Sequence, residues 1–115
     1  MVSSICLSHP PANRIAITVM KSGPRPMPCP FFGKCDGIWI IDEDTGATEF
    51  RSNPERTPVA LCDLILAARP AWLICGFIGD AEKQRLRVVG IDVRLGSCAC
   101  TIEELVASFD GLAAA

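Results

Sequence analysis

Histidine occurs once in the 115 residues, as His9, and tyrosine does not occur at all. A zinc-protease helix needs two histidines on one face and a histidine-rich metal site needs more, so neither can be built. Long apolar runs are also missing. The best, Ala71 to Gly79, is bounded by Arg69 and Asp80 and falls short of the roughly 18 residues that a membrane span requires. A soluble protein with no membrane partner is expected. No segment concentrates lysine and arginine, and 11 basic against 13 acidic residues give a formal net charge of −2, which argues against nucleic acid as the main partner.

Cysteine, by contrast, is plentiful. Seven in one chain is an odd number, so full internal pairing is impossible, and the content lies below the roughly 8–10% of a disulfide scaffold. Met1 to Arg14 lacks a basic start followed by an apolar stretch, so a cytoplasmic protein with free thiols is expected. At this length one domain should bury roughly 65% of the surface of its unfolded chain.

Met1–Asn13, with three serines and two prolines, reads as an N-terminal extension carrying Cys6 and His9, and 14–115 as a single domain. Ile15 to Met20 is apolar and β-branched at nearly every position, as a central strand covered on both faces should be. Lys21 to Cys35 holds Pro24, Pro26, Pro28 and Pro30, a composition that predicts neither helix nor paired strand. Gly37–Asp42 and Ala47–Arg51 predict a hairpin with Gly46 at positive φ. Thr57 and Pro58 open a helix to about Arg69, with Val59, Cys62, Ile65 and Leu66 as its apolar face. Ala71–Cys75 is the next strand. Asp80–Val89 is a second helix with Leu86 and Val89 as its stripe and Gly90 after it. Ile91–Leu95 is the last strand, and Thr101–Glu104 is a capping box opening a third helix with Ile102, Leu105, Val106 and Phe109 inward.

This order predicts an α/β fold with a five-stranded mixed sheet in the order 3-2-1-4-5, strand 2 antiparallel, and helices on both faces, the arrangement of a ribonuclease H-like fold. In such sheets ligands sit beyond the carboxyl ends of the strands where the order switches, here between strands 1 and 4. Three segments leave strands at that edge: Lys21–Cys35, Cys75–Gly79 and Gly96–Cys100. They bring Cys29, Cys35, Cys75, Cys98 and Cys100 together by topology, while Cys62 reads as core packing.

Cys98 and Cys100, one residue apart at a helix start, are candidate thiolate ligands for a soft metal; the other reading is two small residues tolerated in a tight turn. Cys29 and Cys35 lie in the proline-rich loop, where exposure is expected. Gly76, Gly79 and Gly96 allow close approach of a ligand to backbone, and helix starts after Gly79 and at Thr101 favour an anion, with Lys21, Arg25 and Lys34 adding positive charge. A two-magnesium nuclease centre is not expected, because the first strand has no carboxylate and Asp80, Glu103 and Glu104 are accounted for at helix starts. Ser97 and Thr101 lack a nearby histidine or lysine to act as base.

Phe31-Phe32-Gly33-Lys34-Cys35, Ile40-Ile41-Asp42, Asp44-Thr45-Gly46, Asn53-Pro54, Gly76-Phe77-Ile78-Gly79, Gly90-Ile91-Asp92-Val93 and Thr101-Ile102-Glu103-Glu104 together resemble the dinitrogenase iron–molybdenum cofactor biosynthesis family. That family includes NifX, NafY and the C-terminal domain of NifB. The resemblance spans nearly all of Arg14 to Leu112. It implies a ribonuclease H-like fold and a non-enzymatic carrier of an iron–sulfur or iron–molybdenum-type cofactor or precursor, serving a cofactor-assembly or target protein in nitrogen fixation. The family's His-Phe-Gly is Phe31-Phe32-Gly33 here, and its glycine-rich turn after the last strand is Gly96-Ser97-Cys98-Ala99-Cys100. On this reading Gly33, Lys34, Gly76, Phe77, Ile78, Gly79, Gly96 and Ser97 meet the cofactor, and Cys98, Cys100, Cys29 and Cys35 are its metal ligands. The other readings of the same residues are a thiol-based redox or regulatory protein, and a protein-interaction module without metal cargo.

Overall fold

A computed structural model of the chain describes residues 14–21, 26–96 and 99–114. The predicted extension with Cys6 and His9, and also Arg25, Ser97 and Cys98, lie outside the described residues.

The central strand β1, Arg14–Met20, is buried at every position from Ile15 to Val19. Alternation divides its side chains between two cores. Ile15, Ile17 and Val19 face one way, Ala16 the other. A two-residue strand β2, Met27–Pro28, runs antiparallel to the end of β1. The hairpin follows as predicted, β3 (Gly37–Asp42) antiparallel to both β1 and β4 (Thr48–Ser52), with Gly46 at φ 75°. Helix α1, Pro58–Ala68, leads to β5, Trp72–Cys75, parallel to β1. Helix α2, Asp80–Val88, leads to β6, Asp92–Leu95, parallel to β5, and α3, Ile102–Ala107, closes the order.

The five longer strands stand in the predicted order, β4-β3-β1-β5-β6, but the mixed sheet has six strands, not five. The missed strand is β2. Proline removes an amide donor, yet Pro28 can sit opposite Val19 because the ladder here is two residues long and the next amide, that of Cys29, reaches the Thr18 carbonyl at 2.9 Å.

Each helix begins where local chemistry dictates. The Thr57 hydroxyl accepts from the Ala60 amide at 3.1 Å and Pro58 takes the first helical position, while Arg69, at φ 54°, ends α1 ahead of Pro70. The α1 face is rotated from the predicted one. Leu61, Cys62, Ile65 and Ala68 are buried and Val59 is exposed, because Val59 lies about 200° around the helix from Leu61 at 3.6 residues per turn. In α2 only Leu86 is buried; Val89 is exposed, having left helical geometry at the C-cap. The α3 capping box is complete, with Thr101 and Glu104 each bonding the other's amide.

Helices α1 and α2 share one core with Ala16, Ile38, Leu73 and Val93. Helix α3 inserts Ile102 and Leu105 into the other, against Ile15, Ile17 and Ile74. No helix among the described residues is long and apolar enough to cross a membrane. The outer edge of β6 is covered by the C-terminal segment: the Leu95 amide donates to the Ala113 carbonyl at 2.9 Å and Arg94 bridges to Ala114. The Arg94 guanidinium secures that segment, donating to the carbonyls of Phe109, Asp110 and Leu112 at 3.1–3.2 Å while paired with both oxygens of Asp92 at 3.0 Å.

Candidate functional site

The gap between β1 and β5 at their carboxyl ends is filled by the chain itself. Val19 pairs with Gly37 on one side and Pro28 on the other, so β2 lies on the β5 side of β1, beyond the point where β5 stops pairing. Residues 29–31 then run on beside the turn that leaves β5. The Phe77 amide donates to the Pro30 carbonyl and the Phe32 amide to the Phe77 carbonyl, both at 2.8 Å. Gly76 is required for this approach: a Cβ there would lie 2.2 Å from the Pro30 carbonyl oxygen and 2.8 Å from that of Cys29, far inside contact distance.

What stays accessible is the rim of the filled gap. Phe31 and Phe77 stack at 6.2 Å between ring centroids with 16° between planes. They are 54% and 79% exposed, unusual for adjacent large aromatics without a partner. A groove of about 300 Å³ beside them is lined by Phe32, Gly33, Lys34, Arg56 and Pro58 as well as the two rings. Gly33 is needed there too, since a Cβ would meet Pro58 Cγ at 2.6 Å. Lys34 is exposed. Arg56 binds the Asp36 carboxylate, whose other oxygen accepts from the Lys21 amide at 2.7 Å. The groove is therefore apolar at its floor, with the exposed Lys34 ammonium and the Arg56–Asp36 ion pair at its border.

The loop cysteines are not on this rim. Cys29 and Cys35, expected to be exposed, are 3% and 0% accessible and belong to the core shared with α1 and α2. Pairing of β2 and the short helical turn Phe32–Lys34 draw the loop onto the sheet, and that carries both thiols inward. Cys75 and Cys62 are in the same core. Burial, and then the neighbouring Cys29 thiol, push the Cys35 thiol well above its usual range. Burial raises Cys75 to about 12 and Cys62 to about 11. All three are protonated at neutral pH, the form that neither attacks nor ligates well.

Cys100 is half-buried and packs into the other core, with α3. The structure thus brings Cys29, Cys35 and Cys75 together and places Cys100 across the sheet from them. No group of three or more potential metal ligands is present among the described residues. Gly96 follows β6 with its amide on the Cys75 carbonyl at 2.9 Å, and a Cβ on it would strike Ile74 at 2.5 Å. In the turn after β5, the Phe77 amide is already engaged, Ile78 is half-buried, and the Glu82 carboxylate lies over Gly79, where a Cβ would meet it at 2.5 Å. A carboxylate of the chain itself therefore covers the expected anion cradle. Lys21, expected among the positive charges of the site, instead caps the Phe50 ring at 4.4 Å.

Arg56 and Pro58 were not visible as site residues from sequence, since a loop 20 positions away from Asp36 carries them. One signal was available. In Asn53-Pro54, the buried Asn53 side chain donates to the Cys35 carbonyl at 3.3 Å and its amide to the Asp36 carbonyl at 2.7 Å, tying that loop to the site.

The family model described as dinitrogenase iron-molybdenum cofactor matches residues 13–111. The chain belongs to this family. Solved structures share the fold, among them the following two. The orange protein from Desulfovibrio gigas, solved in its apo form, is 25% identical with a TM-score of 0.80, over 90% of this chain and 93% of that one. A candidate NifB protein of the DUF35 family from Thermotoga is 20% identical with a TM-score of 0.71, over 89% and 92% of the two chains. No curated protein matches the sequence.

Proposed function

We propose that this chain is a non-catalytic cytoplasmic carrier for an iron–sulfur or iron–molybdenum-type cofactor or precursor, received from or passed to a cofactor-assembly or target protein. Family membership over residues 13–111 supports the class of cargo, and the likeness to a protein solved in an apo form supports a role in binding. The observation that carries the site is the exposed Phe31–Phe77 stack bordered by Lys34 and Arg56. An anionic cluster with a soft sulfide surface suits an apolar floor with cations at its margin. Gly33 and Ile78 complete the contact surface and Gly76 sets its shape, while Gly79, beneath the Glu82 carboxylate, is left out of it. Gly96, Ser97, Cys98 and Cys100 are proposed to meet the cargo as well, with the two cysteines as ligands. Cys29 and Cys35, read from sequence as further ligands, support the rim from below through the Phe31 carbonyl. Domain 14–115 is read as a variant of the ribonuclease H-like architecture with Met27–Pro28 added.

The test is anaerobic incubation of the purified chain with iron, sulfide and molybdate, followed by visible absorbance and assay of bound metal and labile sulfide. Retained metal that falls when Cys98 and Cys100 are both replaced by serine is the expected result. No retained metal, with no change on that replacement, overturns the proposal.

A further inference from the structure

Strand β4 is the uncovered edge of the sheet among the described residues, since β6 carries residues 113–114. The register of β3 on β4 fixes which peptide groups of that edge point outward. Ile40 faces Glu49, Trp39 faces Phe50 and Ile38 faces Arg51. The Asp42 amide donates to the Ala47 carbonyl at 2.9 Å, so Asp42 and Ala47 are a hydrogen-bonded pair. Such pairs alternate along an antiparallel ladder. Ala47, Glu49 and Arg51 therefore turn their peptide groups toward β3, and Thr48, Phe50 and Ser52 turn theirs outward.

We infer that β4 is a self-pairing edge that joins two copies of this chain antiparallel, with Phe50 opposite Phe50 of the second copy. This register uses all three outward residues, since Thr48 then faces Ser52 of the second copy. It also places Glu49 opposite Arg51 of the second copy, twice by symmetry, at the non-hydrogen-bonded positions where Cα atoms approach to about 4.5 Å. Shifting the partner by two residues one way sets Glu49 against Glu49. Shifting it the other way sets Arg51 against Arg51. Both shifts also lose outward hydrogen bonds. Charges on an edge strand ordinarily keep other strands away; here their order, acid then base about a central residue, admits one antiparallel register and rejects its neighbours. Within each copy Arg51 Nε already donates to Glu49 at 2.8 Å, so the paired edges form a closed ring of four alternating charges. The interface is isologous, as a two-fold dimer requires.

The test is sedimentation velocity on the full chain, in reductant to exclude disulfide-linked dimers, from about 1 μM to about 1 mM. The wild type is expected to show a monomer–dimer equilibrium. Glu49→Arg and Arg51→Glu should each weaken dimerisation about tenfold or more, by turning two attractive cross-strand pairs into repulsive ones. The double exchange, Glu49→Arg with Arg51→Glu, should restore it to within about threefold, with circular dichroism confirming that all variants are folded. A wild type that stays monomeric throughout, single variants that dimerise as well as wild type, or a folded double variant that stays monomeric would each overturn the inference.

Discussion

Cys29 and Cys35 donate their thiol protons to one acceptor, the carbonyl oxygen of Phe31, at 3.2 and 3.1 Å. The same oxygen accepts the Lys34 amide at 3.1 Å. A single peptide group thus anchors the underside of the loop whose outer side carries the exposed ring of Phe31, and the thiols hold that ring in position.

Stability should fall in alkali because of the buried thiols of Cys35, Cys62 and Cys75. An ionising thiol has an ordinary pKa of 9.0, raised by burial to about 11 for Cys62 and about 12 for Cys75, and raised likewise for Cys35. Their contribution is complete below pH 9, where folded and unfolded chains are both protonated. Above it the unfolded chain loses protons that the folded chain keeps, so stability declines until the folded pKa is reached. The slope is on the order of 1 kcal/mol per pH unit for each thiol. Urea denaturation in reductant at pH 8, 9.5 and 10.5 measures it, and a flat profile would contradict the burial.

Gly76→Ala should destabilise the chain by about 1–3 kcal/mol, the usual cost of forcing atoms into filled space. The added methyl is directed at the backbone of Pro30, at 2.2 Å from its carbonyl oxygen, so no side chain can move aside. Urea denaturation gives the loss, and the amide exchange of Phe77 and Phe32 should quicken as their hydrogen bonds to the carbonyls of Pro30 and Phe77 open.

Phe77→Ala should leave stability within about 0.5 kcal/mol, as exposed substitutions usually do, because the ring is 79% exposed. It should nevertheless lower the metal retained after anaerobic incubation with iron, sulfide and molybdate. Unaltered retention would remove the aromatic rim from the site.

Arg94→Ala should loosen the segment from Phe109 to Ala114, since three carbonyls lose their donor at once. Exchange of the Leu95 amide should accelerate about tenfold or more. Arg94→Lys should be intermediate, because lysine keeps the charge without the planar fork that meets Asp92 and the carbonyls together.

The strand order was legible because each long element announces itself locally: the β-branched run of β1, Gly46 in the hairpin, Thr57-Pro58 before α1, the Thr101–Glu104 box. What escaped was tertiary. Nothing in Met27-Pro28 signals a strand, since pairing there depends on the free end of β1 and on Gly76 across the gap. For the same reason Cys29 and Cys35 read as loop residues, although the sheet draws them into the core. Of the residues lining the candidate groove, Gly33, Lys34 and Phe77 were named from sequence, while Arg56 and Pro58 required knowing that Asn53 pins their loop to Cys35.

The covered edge of β6 sets a limit on association. A sheet open at both sides can add strands from one molecule after another and run on into a fibre. Here Ala113 and Ala114 already take the pairing positions beside Arg94 and Leu95, so a strand from another molecule could pair with β6 there only by displacing them. The guanidinium of Arg94, on the carbonyls of Phe109, Asp110 and Leu112, is the latch that keeps that cover in place.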